Sequence, residues 1–241
     1  METVAIDTHL DGRLAVLVRP AAPGPWPAVV MIHEAWGLDD VLRRQADRLA
    51  SAGFLVLAPD LHGDGPKLRC MISTFQAFRA RTGLPFDVIQ RCREHLLEDR
   101  RGNGKVGVIG FCLGGGFALL VSNDGFDASA VNYGMVPEDV DEVLRGSCPM
   151  VASYGGKDNS LIEDLPRLRA ALESNHVPYD LEVYPTAGHS FLNDVPNAPL
   201  PLRPLMRLAH AGPEPVAAAD AWRRIEDFFG THLAADAPSD R

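Results

Sequence analysis

The pentad Gly110-Phe111-Cys112-Leu113-Gly114 follows a short apolar run (KVGVI) and leads into a glycine-rich, then aliphatic stretch (GGFALLV). This is the pattern of a nucleophile elbow, with cysteine where serine is usual. A residue on a sharp strand-to-helix turn has strained backbone angles, and its neighbours must lack side chains so that strand, turn and helix can approach. The turn lifts the sulfur above a sheet and sets it at a helix N-terminus, whose dipole and free N–H groups favour the thiolate. Glycines and a small cysteine also meet at purely structural helix starts. Here the apolar strand before the pentad and the small-residue helix after it supply the context that the nucleophile reading requires. A phosphate cradle fits poorly, because GxGxxG fails and no GK[ST] follows.

A thiolate nucleophile needs a base for its proton and a third group to orient that base. In α/β-hydrolase order the acid comes next and the histidine last. Asp158, in YGGKDNS, and His189, in AGHSF, each follow the end of an expected strand. Either alone reads as a loop residue; three such groups after three successive strands, in that order, point to one site. The remaining histidines show no such placement. Glu34, in MIHEAWGL, follows the first central strand, and HExxH zinc binding fails there because Gly37 stands where the second histidine belongs. The same loop can provide an oxyanion donor, so the Ala35 and Leu113 N–H groups are candidates to bind a tetrahedral oxyanion. A carboxylate beside the sulfur disfavours a second negative charge, so Glu34 would hold the thiol protonated until substrate displaces it. A surface glutamate, or the salt-bridge partner of an arginine, is the alternative.

Those groups need a scaffold, and strand and helix signals alternate along the chain. Thr3 to Ile6 and Leu14 to Val18 read as strands flanking Asp11-Gly12, a hairpin turn. Ala28 to Ile32 is a continuous apolar run, as in a strand buried on both faces. A helix follows the Asp39-Asp40 cap and stops at Gly53, and Phe54 to Ala58 is the next strand. Met71 to Arg81 and Phe86 to Arg100 read as helices split near Gly83 and Pro85. After the elbow come a helix to about Ser122 and strand Ala128 to Tyr133. A short helix from Val140 to Leu144 and strand Met150 to Tyr154 follow, then helix Leu161 to Ser174, strand Asp180 to Tyr184 and a last helix, Ala217 to Leu233. The alternation predicts an α/β fold with a mainly parallel central sheet, helices on both faces and an antiparallel N-terminal hairpin. Residues 1–233 are expected to form one domain, 193–215 a Pro-rich lid or rim of the site, and 234–241 a frayed tail.

Composition narrows the partners. With 241 residues the chain can bury a large single core. A net charge of -9 without a basic run argues against nucleic acid or an anionic membrane surface. No apolar run approaches the ~20 residues of a membrane span, and the N-terminus lacks a signal-peptide pattern, so a cytoplasmic location is expected. Cys70, Cys92, Cys112 and Cys148 form no CxxC pair and no metal-ligand spacing, and read as separate reduced thiols.

The segments VVMIHEAWGL, LAPDLHGDG, GKVGVIGFCLGGG, YGGKDNS and YPTAGHSFLND, in this order from about residue 1 to 233, resemble the dienelactone hydrolase (carboxymethylenebutenolidase) family. The resemblance implies an α/β-hydrolase fold and hydrolysis of an enol-lactone ester bond. It further implies Cys112 as nucleophile, His189 as base, Asp158 as its orienter and Glu34 as the carboxylate that controls the thiol. One position departs: the family arginine that binds a substrate carboxylate, four residues after the histidine, is Asn193 here. Arg79, Arg81, Arg203 and Arg207 are the candidate replacements. The expected chemistry is acyl transfer through a thioester on Cys112, needing no metal or organic cofactor, on a small ester or lactone, by a monomer or weak homo-oligomer. Enolates leave readily, so activated esters and not amides are the expected substrates. The rival readings are a non-catalytic small-molecule binding protein on the same fold and a thiol-redox role for Cys112, which has no expected resolving partner.

Overall fold

The computed structural model describes residues 1–63, 65–208 and 210–235, apart from the side chains of Leu205 and Arg207. The expected tail therefore lies largely outside the described residues. Eight strands form one sheet in the order β1-β2-β4-β3-β5-β6-β7-β8. They are β1 (Thr3–Leu10), β2 (Arg13–Pro20), β3 (Trp26–Ile32), β4 (Leu55–Pro59), β5 (Gly102–Phe111), β6 (Ala128–Asn132), β7 (Met150–Gly155) and β8 (Tyr179–Tyr184). The β1–β2 and β2–β4 pairs are antiparallel, and every pair from β4 through β3 to β8 is parallel. The hairpin turns at Asp11 and Gly12, both with positive φ (49° and 78°), the requirement of the tight turn that matches strand twist.

The helices are α1 (Asp40–Ser51), α2 (Lys67–Ala80), α3 (Leu84–Glu98), α4 (Leu113–Leu120), α5 (Val140–Val143), α6 (Leu165–Ser174), α7 (Arg203–Leu208) and α8 (Pro215–His232). Side-chain alternation on β5 shows that they cover both faces. Phe111 packs against Trp222 of α8, and a Cβ on Gly107 would meet Leu233 just beyond it, whereas Gly110 meets the first turn of α4. On the α4 face, Phe78 of α2 and Phe86 of α3 both pack edge-on to Phe117. On the other face, Arg48 of α1 lies over the Trp222 ring and bonds Glu226. β3, β4, β6 and β7 are apolar along most of their length, because a strand covered on both sides has no polar edge to show.

Several boundaries shift by one to four residues, as where β1 runs on to Leu10, and three differences have a physical reason. The second helix begins at Lys67, four residues early, because Lys67 to Arg69 are exposed and leave no burial period to read. The expected helix from Leu161 opens as a 3₁₀ turn, Ile162–Asp164, before α6. The passage read as irregular carries a 3₁₀ turn, Leu200–Leu202, and α7, since prolines fit the first turn of a helix. No helix among the described residues is long and apolar enough to cross a membrane.

Candidate active site

β3 has β4 on one side and β5 on the other, so the chain reverses its direction of travel across the sheet there. A crevice opens beyond the strand ends at such a point. Glu34 lies two residues past the end of β3, Cys112 one past β5, Asp158 three past β7 and His189 five past β8.

Cys112 has φ 55° and ψ −116°, a strained left-handed conformation for a residue with a side chain, and it precedes α4 directly. The glycines around it are steric necessities. A Cβ on Gly110 would stand 1.9 Å from the Gly114 carbonyl oxygen, and one on Gly114 would stand 2.4 Å from the carbonyl oxygen of Ile32. The second contact also seats the start of α4 against the loop that carries Glu34 and Ala35. Among the described residues, the N–H groups of Leu113 and Ala35 donate to no protein acceptor.

His189 Nδ1 is 2.6 Å from Asp158 Oδ2, and the sulfur of Cys112 stands near enough to the same imidazole to raise it. Asp158 is buried, and its other oxygen accepts from the Ser160 N–H (3.2 Å) and hydroxyl (2.5 Å). Burial opposes its charge, but His189 and Ser160 outweigh burial and hold the carboxyl below the usual carboxylate range. Burial likewise opposes a charge on His189. The sulfur of Cys112 and the Asp158 carboxylate prevail and raise the imidazole well above its ordinary value. The three groups thus lie in the order Asp158, His189, Cys112, with the buried carboxylate at one end.

Glu34 is 5% exposed, so it is not a surface glutamate. Its partners are carboxamides and not an arginine. Asn197 Nδ2 donates to Oε2 at 2.8 Å, and Asn193 Nδ2 lies 3.3 Å from both oxygens. Gln45 in turn donates to Asn193 Oδ1 at 3.0 Å, which fixes the amide orientation. The residue expected to leave a gap in place of arginine is therefore the clasp on Glu34. Of the candidate arginines, Arg81 is paired with Asp139, and Arg79 lines a largely apolar cavity of about 740 Å³ with Phe75, Phe78 and Met135. Arg203 donates from Nε to the Ala198 carbonyl and lines a cavity of about 330 Å³ with Ser190, Asn193, Asn197 and His210. The Arg207 side chain lies outside the described residues.

Tyr133 is a site residue that sequence reasoning missed. It follows β6 with φ 40°, is fully buried, and its ring lies 5.1 Å from that of His189. Its hydroxyl stands beside Glu34 without a well-formed hydrogen bond. Burial, then Glu34 and Cys112, push the phenol well above its ordinary value, so it keeps its proton. A positive φ on tyrosine leaves no trace in sequence. The expectation about the remaining histidines also needs correction: His33 and His62 sit against the Glu34–Ala35 loop, their rings 4.7 Å apart.

The rim is strapped to this constellation at both ends. Asn193 and Asn197 hold Glu34 at one end. At the other, the Gly212 N–H donates to the His189 carbonyl at 2.8 Å, and the His210 backbone presses on Gly188 so closely that a Cβ there would lie 1.7 Å from the His210 oxygen. The other cysteines are elsewhere and unpaired, and burial pushes the Cys92 and Cys148 thiols up to about 12. Among the described residues no group of three His, Cys, Asp or Glu is placed to hold a metal ion.

Comparison with known proteins gives the family. The model of the dienelactone hydrolase family matches residues 14–233. Two relatives named "Putative carboxymethylenebutenolidase" are similar along most of their length. The one from Saccharolobus solfataricus is 26% identical over 85% of this chain and 89% of its own. The one from Escherichia coli K12 is 27% identical over 93% of this chain and 84% of its own. A crystal structure described as "Putative Dienelactone Hydrolase" from Klebsiella pneumoniae superposes with a TM-score of 0.77 at 22% identity, over 95% of this chain and 99% of that one. At that identity the likeness speaks for the α/β-hydrolase fold alone. Family match, relatives and topology together make this chain a member of the dienelactone hydrolase family of carboxylic ester hydrolases.

Proposed function

We propose that this hydrolase cleaves activated carboxylic esters, enol-lactones first among them, through a thioester on Cys112. The observation that carries the reading is the relay from Asp158 through His189, joined at 2.6 Å, to Cys112 on a strained turn. Cys112 Sγ attacks the carbonyl carbon, and the oxyanion rests on the Leu113 and Ala35 N–H groups. The ester C–O bond breaks, and the proton of His189 passes to the leaving enolate or alkoxide, directly or through solvent, which leaves the imidazole neutral. His189 then draws a proton from water, the hydroxide adds to the thioester carbon, the C–S bond breaks, and the acid and the thiolate are released.

Glu34 restrains this chemistry in the absence of substrate. Its carboxylate disfavours a second anion beside it, while His189, raised by Cys112 and Asp158, is the cation on the other side. Substrate that displaces Glu34 from its place in the Asn193–Asn197 clasp tips the balance to the reactive form. The relatives named for carboxymethylenebutenolidase support a lactone substrate. The segment 193–215 acts as the rim over the site, residues 1–233 act as one domain, and the protein works on a small molecule as a monomer or weak homo-oligomer. Four unpaired cysteines fit a reducing, cytoplasmic setting.

The test is a panel of lactones and aryl esters assayed on wild type and Cys112→Ala, with intact-protein mass spectrometry during turnover. The expected result is an acyl adduct on Cys112 and a loss of at least ~10⁴-fold in kcat for the variant. Undiminished turnover by Cys112→Ala with no adduct would overturn the reading. Ligand binding without hydrolysis of any ester would instead mark a binding protein on the same fold.

A further inference from the structure

The two histidines beside the Glu34–Ala35 loop belong neither to the relay nor to the amide clasp, yet both are tied to that loop's backbone. His33 is 1% exposed, and its Nδ1 lies 2.6 Å from the Glu34 carbonyl oxygen. Its Nε2 accepts the Leu61 N–H at 2.9 Å, so the ring proton sits on Nδ1, which donates. His62 Nε2 lies 2.9 Å from the Ala35 carbonyl oxygen, and its Nδ1 lies 2.9 Å from the Thr74 hydroxyl of α2. Burial and the neighbouring His33 keep His62 below the ordinary histidine value, so it carries one N–H. A carbonyl only accepts, which places that proton on Nε2 and turns Nδ1 as an acceptor to the Thr74 hydroxyl, whose single proton also faces the Cys70 carbonyl at 3.0 Å. Asp60 completes the frame: Oδ1 accepts the His62 backbone N–H at 2.9 Å and stands 3.5 Å from His33 Nε2. Gly37 closes the turn, its N–H 3.2 Å from the Glu34 oxygen, and a Cβ on it would come within 3.3 Å of His62.

A peptide unit is planar and trans, so its N–H points opposite to its C=O. Holding the Glu34 carbonyl therefore aims the Ala35 N–H, and holding the Ala35 carbonyl aims the Trp36 N–H. Among the described residues, neither N–H donates to a protein acceptor. We infer that His33 and His62 are positioning residues that aim the backbone donors of the oxyanion loop, with His62 coupling that loop to α2 through Thr74. The inference rests on the acyl-transfer reading above. Donors fixed in advance stabilise charge that develops only in the transition state, so their loss falls on kcat.

The geometry dictates the test. Glutamine can place its amide N–H where His62 Nε2 stands, whereas asparagine reaches only the Nδ1 position. His62→Asn is expected to lower kcat by ~10–100-fold with KM within about threefold, and His62→Gln to recover all but about fivefold. His33 uses Nδ1, so His33→Asn should be the rescuing variant and His33→Gln the impaired one. Thermal unfolding of the four variants identifies any loss that reflects folding, and the reversed Asn/Gln preference at the two sites is a signature that general destabilisation does not produce. Equal kcat for His62→Asn and wild type, or the same amide preferred at both sites, would overturn the inference. Cys112→Ala is assayed alongside: if it retains full activity the acyl-transfer reading fails, and if it is inactive while His62→Asn is unimpaired only the positioning role fails.

Discussion

The cleft has two walls built on different principles. On one side, the elbow and the start of α4 touch the Ile32–Ala35 loop backbone to backbone, at distances that only glycine permits. On the other, the rim from Asn193 to Gly212 is held by amide side chains, a few main-chain bonds and short helices, and several of its apolar side chains face solvent: Leu200 is 74% exposed and Leu208 80%. The first wall fixes where the Cys112 sulfur and the Leu113 and Ala35 N–H groups stand. The second decides what lies over them, and tolerates more change. His189 belongs to both, since its ring joins the relay and its carbonyl receives the Gly212 N–H.

The largest effect should come at that junction. Asp158→Asn should cost ~10⁴-fold in kcat, as orienter loss does in comparable triads. Asp158 raises the imidazole, so its removal lowers it, and the acid limb of the kcat/KM profile should move to lower pH. An unmoved limb would separate His189 from Asp158. On the glycine wall, Gly110→Ala should destabilise by about 4 kcal/mol or more, read by denaturant unfolding, because the Gly114 backbone cannot retreat. A loss below about 1 kcal/mol would show that the wall yields. On the amide wall, Asn197→Ala should cost about 1–3 kcal/mol, because it leaves a buried Glu34 oxygen short of its closest donor. Glu34→Gln in that background should recover part of the loss. Leu208→Ser should change stability by less than about 0.5 kcal/mol.

The same contrast sets what could be read from sequence. A wall made of backbone contacts writes itself as glycines at fixed spacing, so Gly110, Cys112 and Gly114 were legible without coordinates. Asp158 and His189 were legible because each follows a strand end. Glu34 was placed on its loop, but its clasp was not visible: Asn193 meets it across 159 positions, and no local pattern records such a pairing. Asn193 looked like a missing arginine because only its own position could be inspected. His33 and His62 were passed over for a related reason, since the Leu61 N–H that fixes the first and the Ala35 carbonyl that faces the second lie 28 and 27 positions away. Helix starts slipped where the first turn is exposed, as at Lys67, and α7 was hidden among prolines.

The strain at Cys112 bears on how such a site can change over time. Its φ of 55° suits glycine, and holding a side chain there costs about 1–3 kcal/mol. Cys112→Gly should therefore raise the midpoint of thermal unfolding while ending thioester chemistry. Gly110, Gly114 and Gly115 are locked by the backbones they touch, whereas nothing in the fold depends on which small nucleophile occupies position 112. The reactive atom is thus the most exchangeable part of the pentad, and a lineage could trade sulfur for oxygen there, and alter its reactivity, without rebuilding the turn.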